Sequence, residues 1–148
     1  MTKPGVLTIL IVDDDEDDIF FAERALKRVG LEAIVQSVGD GVELMDYLHQ
    51  KGKYKPEKAP RPDLILLDLN MPKKNGKEAL AEIRADKALR HIPVILFTTS
   101  SAEQDILACY RLGANSYIRK PVTFDAMVET MEMLGRYWAR FVSLPPRQ

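Results

Sequence analysis

A single cysteine, Cys109, rules out any disulfide within the chain, and such usage suits a reducing compartment. No apolar stretch approaches the roughly 18 residues that a membrane-spanning helix needs. The opening MTKPGVLTILIVDDD has too short an apolar run for a secretory signal, and acids follow it at once. A cytoplasmic protein is expected. An excess of one charge is also missing. The net is -1, so no bulk field draws the chain to nucleic acid or to a membrane. The two histidines, His49 and His91, sit outside any motif and are expected at the surface or in loops. Cys109 has no base or metal-ligating neighbour in the sequence and is expected to pack.

What the chain does have is alternation. Short apolar runs at Val6–Val12, Ala33–Val38, Leu64–Leu67, Val94–Phe97 and Ser116–Ile118 are rich in Val, Ile and Leu. Runs this brief suit strands buried on both faces. Helical stripes separate them: Ile19, Ala22, Leu26 and Val29 before the stop signal Gly30; Val42, Met45 and Leu48; Ala79, Leu80 and Ile83; and Ile106, Leu107, Tyr110 and Leu112 before Gly113. Thr123 is a suitable N-cap for a last helix carrying Met127, Val128, Met131 and Leu134. Each stripe is expected to face the core.

The pattern is β then α, five times over. It predicts a parallel sheet with helices on both faces and right-handed crossovers. The expected fold is α/β, a flavodoxin-like three-layer (βα)5 sandwich with strand order 2-1-3-4-5. One domain is expected over residues 1–148, its core at about 6–135, followed by a helical extension and tail over 136–148. The stretch KGKYKPEKAPRP, rich in proline and lysine, reads as an exposed loop.

In this topology ligands bind where the winding reverses, at the carboxyl ends of the first and third strands. Asp13 and Asp14 leave the first strand and Asp68 leaves the third, although 54 residues separate Asp14 from Asp68. Three carboxylates tolerate one crevice only with a cation or a held proton, and hard oxygen ligands suit Mg2+. Asp15 to Asp18 are assigned a different task, favouring the positive end of the first helix. The fourth strand ends at Thr98 and the fifth is followed by Lys120-Pro121. A metal, a hydroxyl and an ammonium form the electrostatic set that phosphoryl transfer requires, and Asp68 is then placed as the nucleophile.

With VDDD, LLDLNMPKKNG, FTTS and YIRKP at successive strand ends, the sequence resembles the receiver domains of two-component response regulators. Thr98 lies 30 residues after Asp68 and Lys120 lies 52 after it, spacings similar to the family's. The resemblance implies that Asp68 accepts the phosphoryl group. Asp13 and Asp14 would be the acidic pair, with Asp14 the closer metal ligand, and the main-chain carbonyl of Asn70 a further one. Thr98 would be the switch hydroxyl, Tyr117 the switch aromatic and Lys120 the phosphate-side cation. Such domains often hold the bond corresponding to Lys120–Pro121 in the cis form. They catalyse only their own phosphotransfer and dephosphorylation, and so are not enzymes in the usual sense.

The loop Lys51–Pro62, the tail GRYWARFVSLPPRQ and the expected lack of an effector domain in the 14 residues after Leu134 resemble the stand-alone regulators of cyanobacterial and bacterial phytochrome histidine kinases. A phytochrome kinase is the partner this implies.

Rival readings can be weighed against the same residues. A calcium loop starting at Asp13 would need Gly where Asp18 stands and Glu where Arg24 stands, so it is rejected. An aspartate-nucleophile phosphatase could use Asp13-Asp14-Asp15 but needs an acidic pair after Lys120, which the sequence does not provide. Intact Asp13, Asp14, Asp68, Thr98 and Lys120 argue against a degenerate receiver acting only as a binding module, and a phosphorelay intermediate receiver stands as an alternative. In the tail, Tyr137, Trp138, Phe141 and Val142 extend the last apolar stripe up to Pro145-Pro146. They are expected either to fold back or to bury against a second copy, and a homodimer through Tyr137, Trp138 and Phe141 is the expectation.

Overall fold

The computed structural model describes residues 6–146. Five strands alternate with five helices: β1 Leu7–Val12, α1 Glu16–Val29, β2 Ala33–Val38, α2 Gly41–Leu48, β3 Leu64–Leu67, α3 Gly76–Ala85, β4 Val94–Thr98, α4 Glu103–Arg111, β5 Ser116–Arg119 and α5 Phe124–Arg136. All pairings are parallel, in the order β2-β1-β3-β4-β5. Each strand lies within a residue or so of its apolar run.

Strand alternation divides the core in two. Leu10, Val12, Ile65, Leu67, Val94 and Leu96 point toward α2, α3 and Cys109 of α4. Leu7, Ile9, Ile11, Leu64, Leu66, Ile95 and Phe97 point toward α1 and α5. Burying one such side chain stabilises the fold by about 1.5–3 kcal/mol.

Local sequence explains the helix ends. The Asp15 carboxylate accepts from the Asp17 and Asp18 amides at 2.9 and 3.4 Å, and Gly30 closes α1 with φ 76°, a conformation that costs glycine nothing. Asn75 and Glu78 form a reciprocal capping box on α3. Thr123 accepts the Ala126 amide at 3.1 Å and starts α5.

Three expectations need correction. Val42, Leu107 and Tyr110 are exposed. α2 instead buries Leu44, Met45, Tyr47 and Leu48, and α4 buries only Cys109. The stretch Lys51–Pro62 is also not simply exposed. Ala59 is buried, Tyr47 donates to the Pro60 carbonyl at 2.8 Å, and Arg61 donates to the Leu48 carbonyl at 3.1 Å. Finally, no cis peptide occurs among the described residues, so the Lys120–Pro121 bond is trans here.

The tail folds back in part. After α5 the chain makes one π-helical turn, Tyr137–Phe141, with the Val142 amide donating to the Tyr137 carbonyl at 2.8 Å. Trp138, four residues after Leu134, is only 9% exposed and joins the α1–α5 side of the core. Tyr137 and Phe141 face outward. Leu144, Pro145 and Pro146 then line a small recess with Arg61–Asp63 and His91–Pro93, which precede β3 and β4.

Candidate functional site

Each strand delivers its last residues to one end of the parallel sheet, so the topology gathers what the sequence scatters. Asp13 follows β1, Asp68 follows β3, Thr98 ends β4, and Lys120 follows β5. Asp13, Asp14 and Asp68 each offer a carboxylate oxygen within 4.8 Å of the others. Asp13 and Asp68 are buried, whereas Asp14 is exposed at the mouth. The amide of Asp15 donates to Asp13 Oδ1 at 3.0 Å, and that of Leu69 donates to Asp68 Oδ1 at 2.8 Å.

The Lys120 ammonium sits between the acids. Its Nζ lies 2.5 Å from Asp13 Oδ2, 2.9 Å from Asp18 Oδ2 and 3.3 Å from Asp68 Oδ2. Burial alone would lower its pKa. Its bonds to Asp13 and Asp18 outweigh that and hold it above the ordinary lysine value. Burial also pushes the Asp13 carboxyl up to about 6, against the opposing pull of Lys120 and the Asp15 amide. Here four carboxylates, Asp13, Asp14, Asp18 and Asp68, meet one ammonium. That charge deficit and the hard oxygen donors fit a divalent cation, with Asp14 open to receive it.

Asp18 corrects the sequence reading. Its amide does serve the start of α1, but its carboxylate belongs to the Lys120 cluster. The charge run carries no signal that separates it from Asp15 to Asp17, since all four suit a helix start equally.

Two glycines were also missed. A Cβ on Gly76 would run into the Asp68 carbonyl and come within 2.9 Å of Leu69 Cα. The Gly76 amide also donates to the Leu69 carbonyl at 2.8 Å. α3 can therefore start directly against the Asp68 loop. A Cβ on Gly41 would meet the Lys74 carbonyl, to which the Gly41 amide donates at 3.0 Å. Asn70 and Lys73 lie on this β3–α3 loop, Asn70 exposed and Lys73 at φ 65°.

On the other side of the crevice, Thr98 is fully buried, and its Oγ1 has no hydrogen-bond partner among the described residues. Tyr117 donates its hydroxyl to the Ser100 carbonyl at 2.9 Å, and its ring packs against the α2–α3 side of the core. The Ser100 hydroxyl donates to Asp105 at 2.7 Å, and Lys77 donates to the other oxygen of Asp105 at 2.7 Å. This chain of contacts links the β4–α4 loop to α3. His49, expected at the surface or in a loop, is exposed and bonds Asp86 at 2.8 Å.

Among the described residues no helix is long and apolar enough to cross a membrane. The family model for the response regulator receiver domain matches residues 9–132. Response regulator Rcp1 of a Synechocystis species is 39% identical over 137 residues, covering 93% of this chain and 92% of that protein. The Mn(2+)-bound form of response regulator Rcp1 superposes with a TM-score of 0.84 at 38% identity, covering 95% of this chain and 99% of that one. The phosphorylated cyanobacterial phytochrome response regulator RcpA gives 0.87 at 40% identity, and RPA3017, a response regulator in red light signaling of R. palustris, gives 0.89 at 31%, each with the same coverage. Five parallel strands in this order, the acid cluster at their carboxyl ends and the match over residues 9–132 lead to one conclusion: the chain belongs to the response regulator receiver family.

Proposed function

We propose that the chain accepts a phosphoryl group on Asp68 from the phosphohistidine of a sensor kinase and changes its binding partners in response. The observation that carries this reading is the convergence of Asp13, Asp14, Asp68, Thr98 and Lys120 at one end of the sheet. An Asp68 carboxylate oxygen attacks phosphorus, a P–O bond forms, and the P–N bond to the kinase histidine breaks, its electron pair leaving with the imidazole. The Lys120 ammonium and the Thr98 hydroxyl donate to phosphoryl oxygens. Asp13, Asp14, Asp68 and the Asn70 carbonyl would hold Mg2+, which would neutralise phosphoryl charge. The Mn(2+)-bound form of Rcp1 supports a divalent ion here.

Thr98 and Tyr117 form the response. The Thr98 hydroxyl is drawn to the phosphoryl group, and the Tyr117 ring exchanges its Ser100 bond for a more inward position. The descriptions of RcpA as a phytochrome response regulator and of RPA3017 in red light signaling support a phytochrome kinase as the donor. We assign the chain to the cytoplasm as one receiver unit with a core at about 6–135. Its only catalysis is on its own phosphoryl group. The exposed Tyr137 and Phe141 support a homodimer through these two rings, without Trp138. Sedimentation with and without residues 136–148 tests this, and a monomer at micromolar concentration would overturn it.

The decisive experiment is labelling with acetyl phosphate and Mg2+. Wild type gains one hydroxylamine-sensitive phosphoryl group and Asp68→Asn gains none. Undiminished labelling of that variant, or turnover of excess donor that persists in Asp68→Asn, would overturn the assignment.

A further inference from the structure

Resting on the phosphoacceptor reading of Asp68, we propose that Asp18 is a positioning residue for Lys120. It holds the ammonium in the unphosphorylated protein and releases it when a phosphoryl group arrives. An ammonium has three N–H donors, and three carboxylates surround this one: Asp13 at 2.5 Å, Asp18 at 2.9 Å and Asp68 at 3.3 Å. All three donors are therefore engaged before phosphorylation. The donor on Asp68 passes to the phosphoryl group that Asp68 carries, and a second bond from Lys120 to a phosphoryl oxygen requires leaving Asp13 or Asp18.

The three partners differ in how readily they can be left. Asp13 is buried, and its second oxygen is tied to the Asp15 amide. If it lost the ammonium it would be a buried charge with less compensation, which is costly. Asp68 carries the phosphoryl group itself, so its contact is replaced rather than freed. Asp18 is different. Its side chain is 40% exposed, against 8% for Lys120, so water can take over its carboxylate at small cost. Its backbone meanwhile stays fixed by the Asp15 cap and the first turn of α1. Release therefore needs only a side-chain rotation, with no movement of the helix.

Asp18 thus competes with the phosphoryl group for one cation. Removing its charge while keeping its shape should favour the phosphorylated form. An ion pair whose carboxylate is this open to water corresponds to about a threefold to fivefold effect. The probe is fluoroberyllate, an acyl-phosphate mimic, titrated at saturating Mg2+ against wild type, Asp18→Asn and Asp18→Glu. Mg2+ affinity and thermal stability are measured separately. The Lys120 side-chain 15N resonance, followed by NMR, reports the ammonium's partners directly.

We expect Asp18→Asn to bind fluoroberyllate about three to five times more tightly, and its free-state Lys120 resonance to move toward the bound position. Asp18→Glu should restore the wild-type values. Unchanged or weaker binding in Asp18→Asn would overturn the proposal, as would a Lys120 resonance insensitive to the substitution. A wild type that binds no fluoroberyllate at all would instead overturn the phosphoacceptor reading on which this one stands.

Discussion

On the β1–β3 side of the crevice, Asp13, Asp18 and Asp68 are held by Lys120, and backbone amides hold Asp13 and Asp68 as well. On the β4–β5 side, the Thr98 hydroxyl is buried with nothing to bond. The helix that follows, α4, has no side-chain cap at Ala102 and buries only Cys109. One side is assembled before any ligand arrives, and the other leaves interactions unmade. A receiver needs both. Chemistry benefits from groups fixed in advance, whereas a response needs an element whose alternative positions differ little in free energy.

The largest expected effect breaks the assembled side. Gly76→Ala forces a methyl group against the Asp68 carbonyl. The loop or α3 must move, at a cost of about 3 kcal/mol, readable as a lower urea midpoint together with weakened Mg2+ binding. A variant with wild-type stability would mean that the loop yields freely and is not assembled in this sense.

A smaller effect, of opposite sign, is expected on the other side. Thr98→Val removes a buried hydroxyl that pairs with nothing, so stability should rise by about 1 kcal/mol. The same variant should lose the fluoroberyllate-induced resonance shifts in α4 and Tyr117. A loss of stability would show that the hydroxyl is satisfied in solution.

The smallest effect concerns the wall beside Asp13. Glu43 accepts from the Tyr54 hydroxyl at 2.5 Å and from the Gly39 amide at 2.8 Å. The Tyr54 bond, with help from Gly39 and Lys53, holds the Glu43 carboxyl below its ordinary value of 4.5, although burial opposes this. A depressed carboxylate pKa contributes stability that is present above 4.5 and fades as pH falls through the folded value. Acidification below pH 4.5 should therefore speed hydrogen exchange at Gly39 and free Tyr54 in wild type. Glu43→Gln should show no such step, and the same acid step in that variant would remove Glu43 as its source.

The strands and the acid cluster were legible because both follow from local patterns. Five apolar runs imply parallel strands, and parallel strands bring Asp13, Asp68, Thr98 and Lys120 to one end whatever their separation in sequence. The failures share a cause. Periodicity shows that α4 has an apolar stripe at Leu107 and Tyr110, but not whether another element covers it. Charge runs show that Asp15 to Asp18 suit a helix start, but not that Asp18 reaches a lysine 102 residues away. The requirement at Gly76 depends on how closely two backbones approach, which no spacing rule states.

Trp138 is the only tryptophan in the chain. It lies just beyond the end of α5, which runs back from the crevice, and packs on the α1–α5 side among residues that include Leu7 at the start of β1. Tyr137 stands edge-on to it at 5.3 Å. Its fluorescence therefore comes from the core layer that excludes α4 and contains the start of β1, the strand whose other end leads to the acid cluster. Emission will follow unfolding of the whole layer with little contribution from α4, giving the protein a built-in optical reference against which probes placed on that helix can be read.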